Sequence, residues 1–289
     1  MRIARSYLYV PGNAPYKIQK AAASAADAVI IDLEDAVPWP GKDEARRSVR
    51  SWLSEQTAPT TQLWVRINSG DTALEDIQAL DGVNCLTGLV MAKTGSGEDV
   101  RRIGEVLTAR GHEDLLLSPL LETPSAIFEA RDIARQPRVL RLQIGEYDLC
   151  AEAGITPGRD EHEVAAIRSQ IVLASAEAGI QPPVAPVSIE IKDTEAFRRS
   201  TERCARQGFV GRACIHPVQL ATVHEVFTPD ESMVARANAV LRVYDEQIEA
   251  GTAVVIDADG RLLDEAVVRH ARRVLSLAAG SARELNPTT

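Results

Sequence analysis

The chain has 289 residues, 45% of them hydrophobic and 25% charged, and its formal net charge is −9. These proportions are typical of a globular protein, and the acidic balance argues against non-specific nucleic-acid binding. The apolar runs are too short to span a membrane and the N-terminus lacks a signal-peptide core, so we expect neither a nucleic-acid nor a membrane partner.

The cysteines are scattered along the chain, at positions 85, 150, 204 and 214. Their spacing contains no C-x-x-C pair, which argues against a disulfide framework and against a zinc site. Unpaired cysteines of this kind favour a reducing compartment, so we expect a cytoplasmic protein.

Short apolar runs alternate with longer amphipathic segments, which is typical of strands followed by helices. The eight predicted strands are residues 6–10, 28–32, 63–67, 88–91, 115–121, 140–144, 184–189 and 212–216. The predicted helices are residues 16–24, 42–55, 98–110, 125–135, 161–178 and 193–207. Continuous apolar strands separated by helices indicate a parallel sheet covered by helices.

Eight strand–helix units predict an α/β fold closed into a TIM (β/α)8 barrel, a fold that typically takes about 250 residues. The alternative is an open doubly wound sheet, which would carry a G-x-G-x-x-G turn after its first strand. The sequence there is Pro11-Gly12-Asn13, which favours the barrel. We assign residues 1–228 to this catalytic domain.

The pattern changes after residue 228. A helical run at 231–250 is followed by an apolar segment at 251–256, a turn at 257–260 and a last helix at 265–279. This is more than the eighth barrel helix requires. We therefore predict that residues 229–289 form a C-terminal helical arm that packs on a neighbouring subunit or covers the active site.

The catalytic face of a barrel lies where its strands end, and the residues at these positions are unusually polar. They are Asp32, Glu34, Asp35, Arg66, Asn68, Lys93, Glu122, Asp148 and His216. Together they offer cations and carboxylates on one rim, which suits an anionic substrate and a metal ion.

Glu122 and Asp148 follow two strands about one βα unit apart, as acids that hold a divalent cation do. The all-oxygen ligand set predicts Mg²⁺, and Mn²⁺ accepts the same ligands. Two carboxylates leave about four of six octahedral positions for water and substrate oxygens. The alternative is that both acids are salt-bridge partners of Arg66.

Each of the other rim residues could have a structural role instead of a role in the site. Arg66 at a barrel mouth needs an anionic partner, and guanidinium groups hold carboxylates bidentately. Glu34 is either a site residue or a helix cap and partner of Lys42. Lys93 is either a substrate ligand or a solvated lysine, and His216, which precedes a proline, favours a structural role.

Several sequence blocks resemble the citrate lyase β-subunit-like family, which includes malyl-CoA and citramalyl-CoA lyases. The matching blocks are residues 5–12, 32–37, 42 with 45–46, 65–68, 121–123, 145 with 148–149, 208–211 and 215–217 with 219. They run nearly from end to end, and the Asp-Leu-Glu-Asp-Ala-Val and Ile-His-Pro blocks are specific when they occur together.

The resemblance implies a magnesium-dependent barrel, commonly a homotrimer, that cleaves or forms a C–C bond next to a thioester. It implies that Glu122 and Asp148 hold the metal and that Arg66 contacts the substrate carboxylate and the developing enolate oxygen. It also implies that Asp264, in the C-terminal arm, reaches a neighbouring subunit's site and transfers a proton.

The expected substrate is a 3-hydroxyacyl-CoA such as malyl-CoA or citramalyl-CoA, which gives a 2-oxo acid and acetyl-CoA. We assign catalytic roles to Arg66, Glu34 and Asp264. We assign substrate or CoA binding to Arg66, Lys17, Lys20 and Lys93, although Lys17 and Lys20 also fit a solvated helix face.

The sequence departs from relatives at a few positions. Ala14 replaces an arginine of the CoA site, and Lys93 is followed by Thr94-Gly95 where relatives read Val-Glu. Three other readings therefore stay open. They are a thioesterase on the same CoA esters, a citrate lyase β subunit acting on a carrier-protein thioester, and a catalytically idle barrel. The acyl group and the direction of reaction are also open.

Overall fold

The computed structural model describes residues 3–249, 256 and 262–282. Contacts divide the chain into two compact units, Ala4–Glu225 and a second unit that contains Val226–Thr289. Residues 251–255 of the apolar segment predicted at 251–256, and the turn predicted at 257–260, lie outside the described residues.

The described residues of the first unit form seven strands in one parallel sheet, with the order β6-β5-β4-β3-β2-β1-β7. The strands are β1 (Ser6–Pro11), β2 (Ala28–Asp32), β3 (Gln62–Ile67), β4 (Gly88–Met91), β5 (Leu116–Leu121), β6 (Gln143–Ile144) and β7 (Arg212–Cys214). Because neighbouring strands are parallel, their carboxyl ends meet at one edge of the sheet.

Helices connect the strands. They are α1 (Pro15–Ala22), α2 (Lys42–Ser54), α3 (Thr72–Ala79), α4 (Gly97–Ala109), α5 (Pro124–Phe128), α6 (Ala130–Ala134), α7 (Glu146–Ala153), α8 (His162–Glu177), α9 (Thr194–Gln207) and α10 (Gln219–Phe227). The six predicted helices are confirmed, except that the one at 125–135 is split into α5 and α6. The helices α3, α7 and α10 were not predicted.

The strand predicted at 184–189 is wrong. Its residues form only two isolated parallel bridges, Gln143 with Val184 and Ala185 with Arg212. Pro183 and Pro186 flank this pair, and a proline has no N–H to donate to a ladder. The bridges nevertheless place residues 184–185 between β6 and β7, the two outer strands of the sheet.

A large aromatic side chain fills the interior enclosed by the sheet. Trp64 is fully buried and lies in one apolar cluster with Tyr7, whose ring centroid is 6.4 Å from that of Trp64. Gly88 provides the room, because a Cβ at this position would lie 2.6 Å from the Trp64 ring and 2.2 Å from the Leu116 carbonyl oxygen. The side chains of Trp64 and Tyr7 thus fill the interior below the carboxyl ends of the strands.

The second unit contains α11 (Glu231–Glu249) and α12 (Glu265–Ala282), close to the two helices predicted there. They pack through Ala237, Ala271 and Val274. None of the helices in the described part of the chain is long and apolar enough to cross a membrane.

Candidate active site

A cavity of about 450 Å³ opens at the carboxyl ends of the strands in the first unit. Its lining comes from the ends of six of the seven strands, β4 being the exception, and includes Tyr9, Asp32, Asp35, Arg66, Leu120, Glu122, Gln143, Tyr147, Asp148, Val187 and Ile215. The structure therefore brings together Arg66, Glu122 and Asp148, three residues of the predicted site.

The guanidinium of Arg66 is held by a carboxylate at the end of the neighbouring strand. Nε donates to Asp32 Oδ1 at 2.7 Å and Nη2 donates to Asp32 Oδ2 at 2.6 Å. Nη1 lies 3.2 Å from Glu34 Oε2, and the group stacks 5.3 Å from the Tyr9 ring centroid. Arg66 thus pairs with Asp32 and Glu34 rather than with the two acids proposed to hold the metal.

Asp32 also shapes the loop that follows it. Its Oδ1 accepts a hydrogen bond from the Glu34 N–H at 2.8 Å, and its Oδ2 accepts one from the Ala36 N–H at 3.0 Å. With these two backbone donors and the two from Arg66, the Asp32 carboxylate fixes both the loop and the guanidinium.

Glu34 lies beside the main cavity rather than in its lining. Its carboxylate is buried between Arg66 and Lys93, and Lys93 Nζ is 2.6 Å from Oε1. Burial raises the pKa of Glu34 above its ordinary value. The structure thus places both Glu34 and Lys93 where they support Arg66.

Lys93 connects two acids of the site. Its backbone N–H donates to Glu122 Oε1 at 2.5 Å, while its side chain binds Glu34. The residue adopts a φ of +51°, a left-handed conformation that is uncommon outside glycine. Strain of this kind is concentrated at functional sites, where the surrounding structure maintains it.

Glu122 and Asp148 line the same cavity, and Gly145 packs against Glu122. Glu122 is 2% exposed, and a Cβ at Gly145 would lie 2.7 Å from its Oε2. Asp148 is exposed and belongs to the first turn of α7. Burial, with smaller contributions from the charges of Glu34 and Asp148, raises the pKa of Glu122 to about 7. A nearby cation would offset the cost of burying the ionised Glu122 carboxylate.

These acids fit a magnesium ion. Carboxylate oxygens are the ligands that Mg²⁺ prefers, and it commonly takes one or two of them and completes its shell with water and substrate. In the described part of the chain, no group of three or more His, Cys, Asp or Glu side chains is arranged to hold a metal. A site built on two acids therefore suits Mg²⁺ better than zinc.

The predicted CoA-binding lysines lie outside the cavity lining. Lys17 and Lys20 are on the exposed face of α1, and Lys20 Nζ is 6.0 Å from the Tyr16 ring centroid. His216 Nδ1 accepts a hydrogen bond from the Val218 N–H at 3.2 Å, which agrees with the structural role favoured by the sequence.

Asp264 lies in the second unit. Its Oδ1 accepts a hydrogen bond from the Val267 N–H at 3.0 Å, as a residue that caps α12 does. Its role in proton transfer stays a prediction.

Tyr9 and Gln143 are among the residues of the cavity lining that the sequence interpretation missed. Tyr9 donates from its hydroxyl to Gln143 Oε1 at 3.1 Å, and Gln143 Nε2 lies 3.1 Å from Ser118 Oγ. Burial raises the pKa of Tyr9, so its phenol stays protonated at neutral pH. Both residues are embedded in runs that the sequence predicts only as strands.

A buried network supports the loop after β2 from behind. Lys42 Nζ donates to the carbonyl oxygens of Leu33 and Glu34 at 2.8 and 3.0 Å. Asp76, which is fully buried, accepts hydrogen bonds from Asn68 N–H and from Arg46 Nε at 2.7 and 2.8 Å. The sequence does not identify Asp76 as a buried residue of this network, because α3, the helix that contains it, was not predicted.

The chain is similar to known proteins over nearly its whole length. A family model described as HpcH/HpaI aldolase/citrate lyase matches residues 5–217. The citrate lyase subunit beta-like protein of Deinococcus radiodurans is 34% identical over 286 residues, which cover 95% of this chain and 97% of the relative. The L-malyl-CoA/beta-methylmalyl-CoA lyase of Rhodobacter capsulatus is 30% identical over 301 residues, with 95% and 94% covered.

A solved structure has the same architecture. Protein CitE from Mycobacterium tuberculosis, in complex with magnesium, acetoacetate and coenzyme A, matches with a TM-score of 0.76 and 28% identity. The match covers 96% of this chain and 100% of the CitE chain. From the family model and from these relatives, the chain belongs to the HpcH/HpaI aldolase/citrate lyase family.

Proposed function

We propose that the protein is a Mg²⁺-dependent C–C lyase that cleaves or forms a 3-hydroxyacyl-CoA such as malyl-CoA or citramalyl-CoA. The observation that carries this proposal is one cavity lined by Arg66 together with the two oxygen-donor acids Glu122 and Asp148. Two similar proteins support it. One is named an L-malyl-CoA/beta-methylmalyl-CoA lyase, and the other is a CitE structure that contains magnesium and coenzyme A.

Glu122 and Asp148 would hold the metal. When bound, Mg²⁺ supplies Lewis-acid polarisation of the substrate oxygens. Arg66, oriented by Asp32, binds the carboxylate of the substrate and stabilises the enolate oxygen as charge develops there, which is where electrostatic catalysis is strongest. Tyr9 and Gln143 set the shape of the cavity beside this guanidinium.

Cleavage breaks the C–C bond between the hydroxyl-bearing carbon and the carbon next to the thioester. The hydroxyl gives its proton to water, the carbon that bears it becomes the carbonyl carbon of a 2-oxo acid, and the electron pair of the broken bond forms a thioester enolate. The enolate takes a proton, which we assign to Asp264, to give acetyl-CoA. Glu34 and Lys93 act indirectly, by fixing Arg66.

The remaining features of the proposal concern the assembly. The sheet with its 184–185 bridges supports a complete (β/α)8 barrel over residues 1–228, and α11 and α12 support a C-terminal helical arm over residues 229–289. We infer a homotrimer in the cytoplasm that accepts Mn²⁺ in place of Mg²⁺. The exposed Lys17 and Lys20 would meet the phosphates of CoA.

The test is product analysis with malyl-CoA, citramalyl-CoA and citryl-CoA, with Mg²⁺ and with EDTA. We expect a 2-oxo acid and acetyl-CoA only with metal, and a loss of at least about 100-fold in kcat/KM for Asp148→Ala. Glu152→Ala is the matched control, because it removes an exposed acid from the same helix.

Each other result has a definite meaning. Free CoA with an intact hydroxy acid would assign a thioesterase. Binding of Mg²⁺ without any turnover of CoA esters would favour a carrier-protein thioester, as in a citrate lyase β subunit. Full activity of Asp148→Ala would contradict the metal site.

A further inference from the structure

A second cavity of the first unit, of about 580 Å³, lies between the active-site wall and α9. Its lining contains five arginines, namely Arg159, Arg168, Arg199, Arg203 and Arg212. It also contains four carboxylates, namely Glu146, Glu161, Glu190 and Asp193. The lining therefore carries a net positive charge in a protein whose overall charge is −9.

The carboxylates of this cavity are already engaged. Glu146 and Glu161 bind Arg168 at 2.7 and 2.6 Å, and Glu161 also lies 3.3 Å from Arg203. Glu190 and Asp193 accept hydrogen bonds from backbone N–H groups at the start of α9. Arg168 and Arg203 thus have acidic partners, whereas Arg159, Arg199 and Arg212 form no ion pair with any residue in the described part of the chain.

Arg212 differs from Arg159 and Arg199 in being buried, with only 2% of its surface exposed. Its guanidinium donates to the Pro186 carbonyl at 2.9 Å, to Thr201 Oγ1 at 2.8 Å and to Ser200 Oγ at 3.0 Å. Three of its five N–H groups are used in this way. Its guanidinium also lies 4.6 Å from the Phe197 ring centroid, and within the described ranges no carboxylate forms a direct ion pair with it.

Arg159 and Arg199 line the open side of the cavity. Both are exposed, and neither forms an ion pair with any residue that the structure describes. Guanidinium groups that converge on a concave site match the oxygens of a phosphate group, which they bind through paired, charge-assisted hydrogen bonds.

We propose that this arginine cavity is a binding site for a phosphate group, taken from inorganic phosphate or from a small phosphate monoester. Glu146 and Tyr147 line both this cavity and the active site, and they belong to the same turn of α7 as Asp148. An anion bound by Arg159, Arg199 and Arg212 repels the Glu146 carboxylate on the shared wall, so its binding acts on the helix turn that carries Asp148.

The test is isothermal titration of the full chain, free of metal and of CoA, with inorganic phosphate and separately with glycerol phosphate. Potassium chloride at matched ionic strength is the reference. We expect saturable binding of phosphate that the Arg159→Gln/Arg199→Gln double variant weakens by about tenfold or more, since each guanidinium contributes a charge-assisted hydrogen bond. Tighter binding of the ester would identify a monoester as the ligand, and equal binding would identify free phosphate.

Arg206→Gln is the matched control, because Arg206 is an exposed arginine of α9 that pairs with Glu202 at 3.8 Å and does not line the cavity. It is expected to bind phosphate like the wild type. Circular dichroism checks that the double variant is folded. Absence of saturable binding to the wild type, or equal affinity of the double variant, would overturn the proposal. Because neither acyl-CoA nor Mg²⁺ is used, failure here leaves the proposed lyase reaction unaffected.

Discussion

The position of Arg66 depends on one residue of the adjacent strand. Asp32 lies directly opposite Arg66 in the parallel pairing of β2 and β3, so the register of the sheet brings their charges together. The two hydrogen bonds between them restrain the guanidinium in the plane needed to receive a carboxylate.

Asp32→Asn is therefore expected to lower kcat/KM by about 100-fold, because a misplaced catalytic group loses most of its contribution. Steady-state kinetics on the identified CoA ester measure this. Asp35→Asn, which changes a half-exposed acid 4.0 Å from the same guanidinium, is the control and should retain most of the activity. Equal losses in both variants would contradict the special role of Asp32.

Gly145 is required by the close approach of Glu122. In Gly145→Ala the new methyl group would lie 2.5 Å from Glu122 Cβ, so the carboxylate must move. We expect the affinity for Mg²⁺ to fall by about 10- to 100-fold, as when the support of a metal ligand is lost. Calorimetric titration with Mg²⁺ tests this, with Gly104→Ala, whose nearest neighbour is 3.8 Å away, as the control.

At the scale of whole elements, Glu161 links two helices. It precedes α8, and its carboxylate binds Arg168 of α8 and Arg203 of α9. Although burial acts in the opposite direction, hydrogen bonds from these arginines lower the pKa of Glu161 to about 2. Because the folded-state pKa lies below the ordinary value of about 4.3, the ionised form stabilises the fold.

This contribution is fully present above pH about 4.5 and is lost as the pH falls towards 2. Glu161→Gln should therefore lower the free energy of unfolding by about 1–3 kcal/mol at pH 7, and the difference from the wild type should shrink at lower pH. Urea denaturation between pH 7 and pH 3 measures it. A difference that does not vary over this range would contradict the low pKa.

The sequence predicted the strands and helices better than it predicted which side chains pair with one another. Apolar runs marked the strands, and polar residues at their ends marked Arg66, Glu122 and Asp148 as members of one rim. The pairing of Asp32 with Arg66 was missed because it depends on strand register, which an apolar run does not specify. The strand at 184–189 failed because its prolines remove donors that only the three-dimensional ladder requires.

For the molecule as a whole, the two units allow the proposed roles to be separated. The first unit has its own core and contains the complete cavity with Arg66, Glu122 and Asp148. A chain truncated after residue 228 is expected to fold and to bind Mg²⁺, but to lose lyase activity because Asp264 is absent. Circular dichroism, calorimetry and product analysis test these expectations in turn.

Full-length Asp264→Asn is the matched comparison and should lose activity to a similar extent. An active truncated chain would show that the proton comes from another residue. Failure of the truncated chain to fold would place part of the stability of the first unit in residues 229–289.

The pairing of β1 with β7 also has a consequence for synthesis of the chain. Ser6 lies opposite Arg212, so one edge of β1 has no partner until roughly 200 more residues have been translated. At about 5–20 residues per second, this takes roughly 10–40 s. Throughout that interval the nascent chain presents an open strand edge, which is a template for pairing with other chains. The emerging β1 is thus a segment that chaperone protection on the ribosome would benefit.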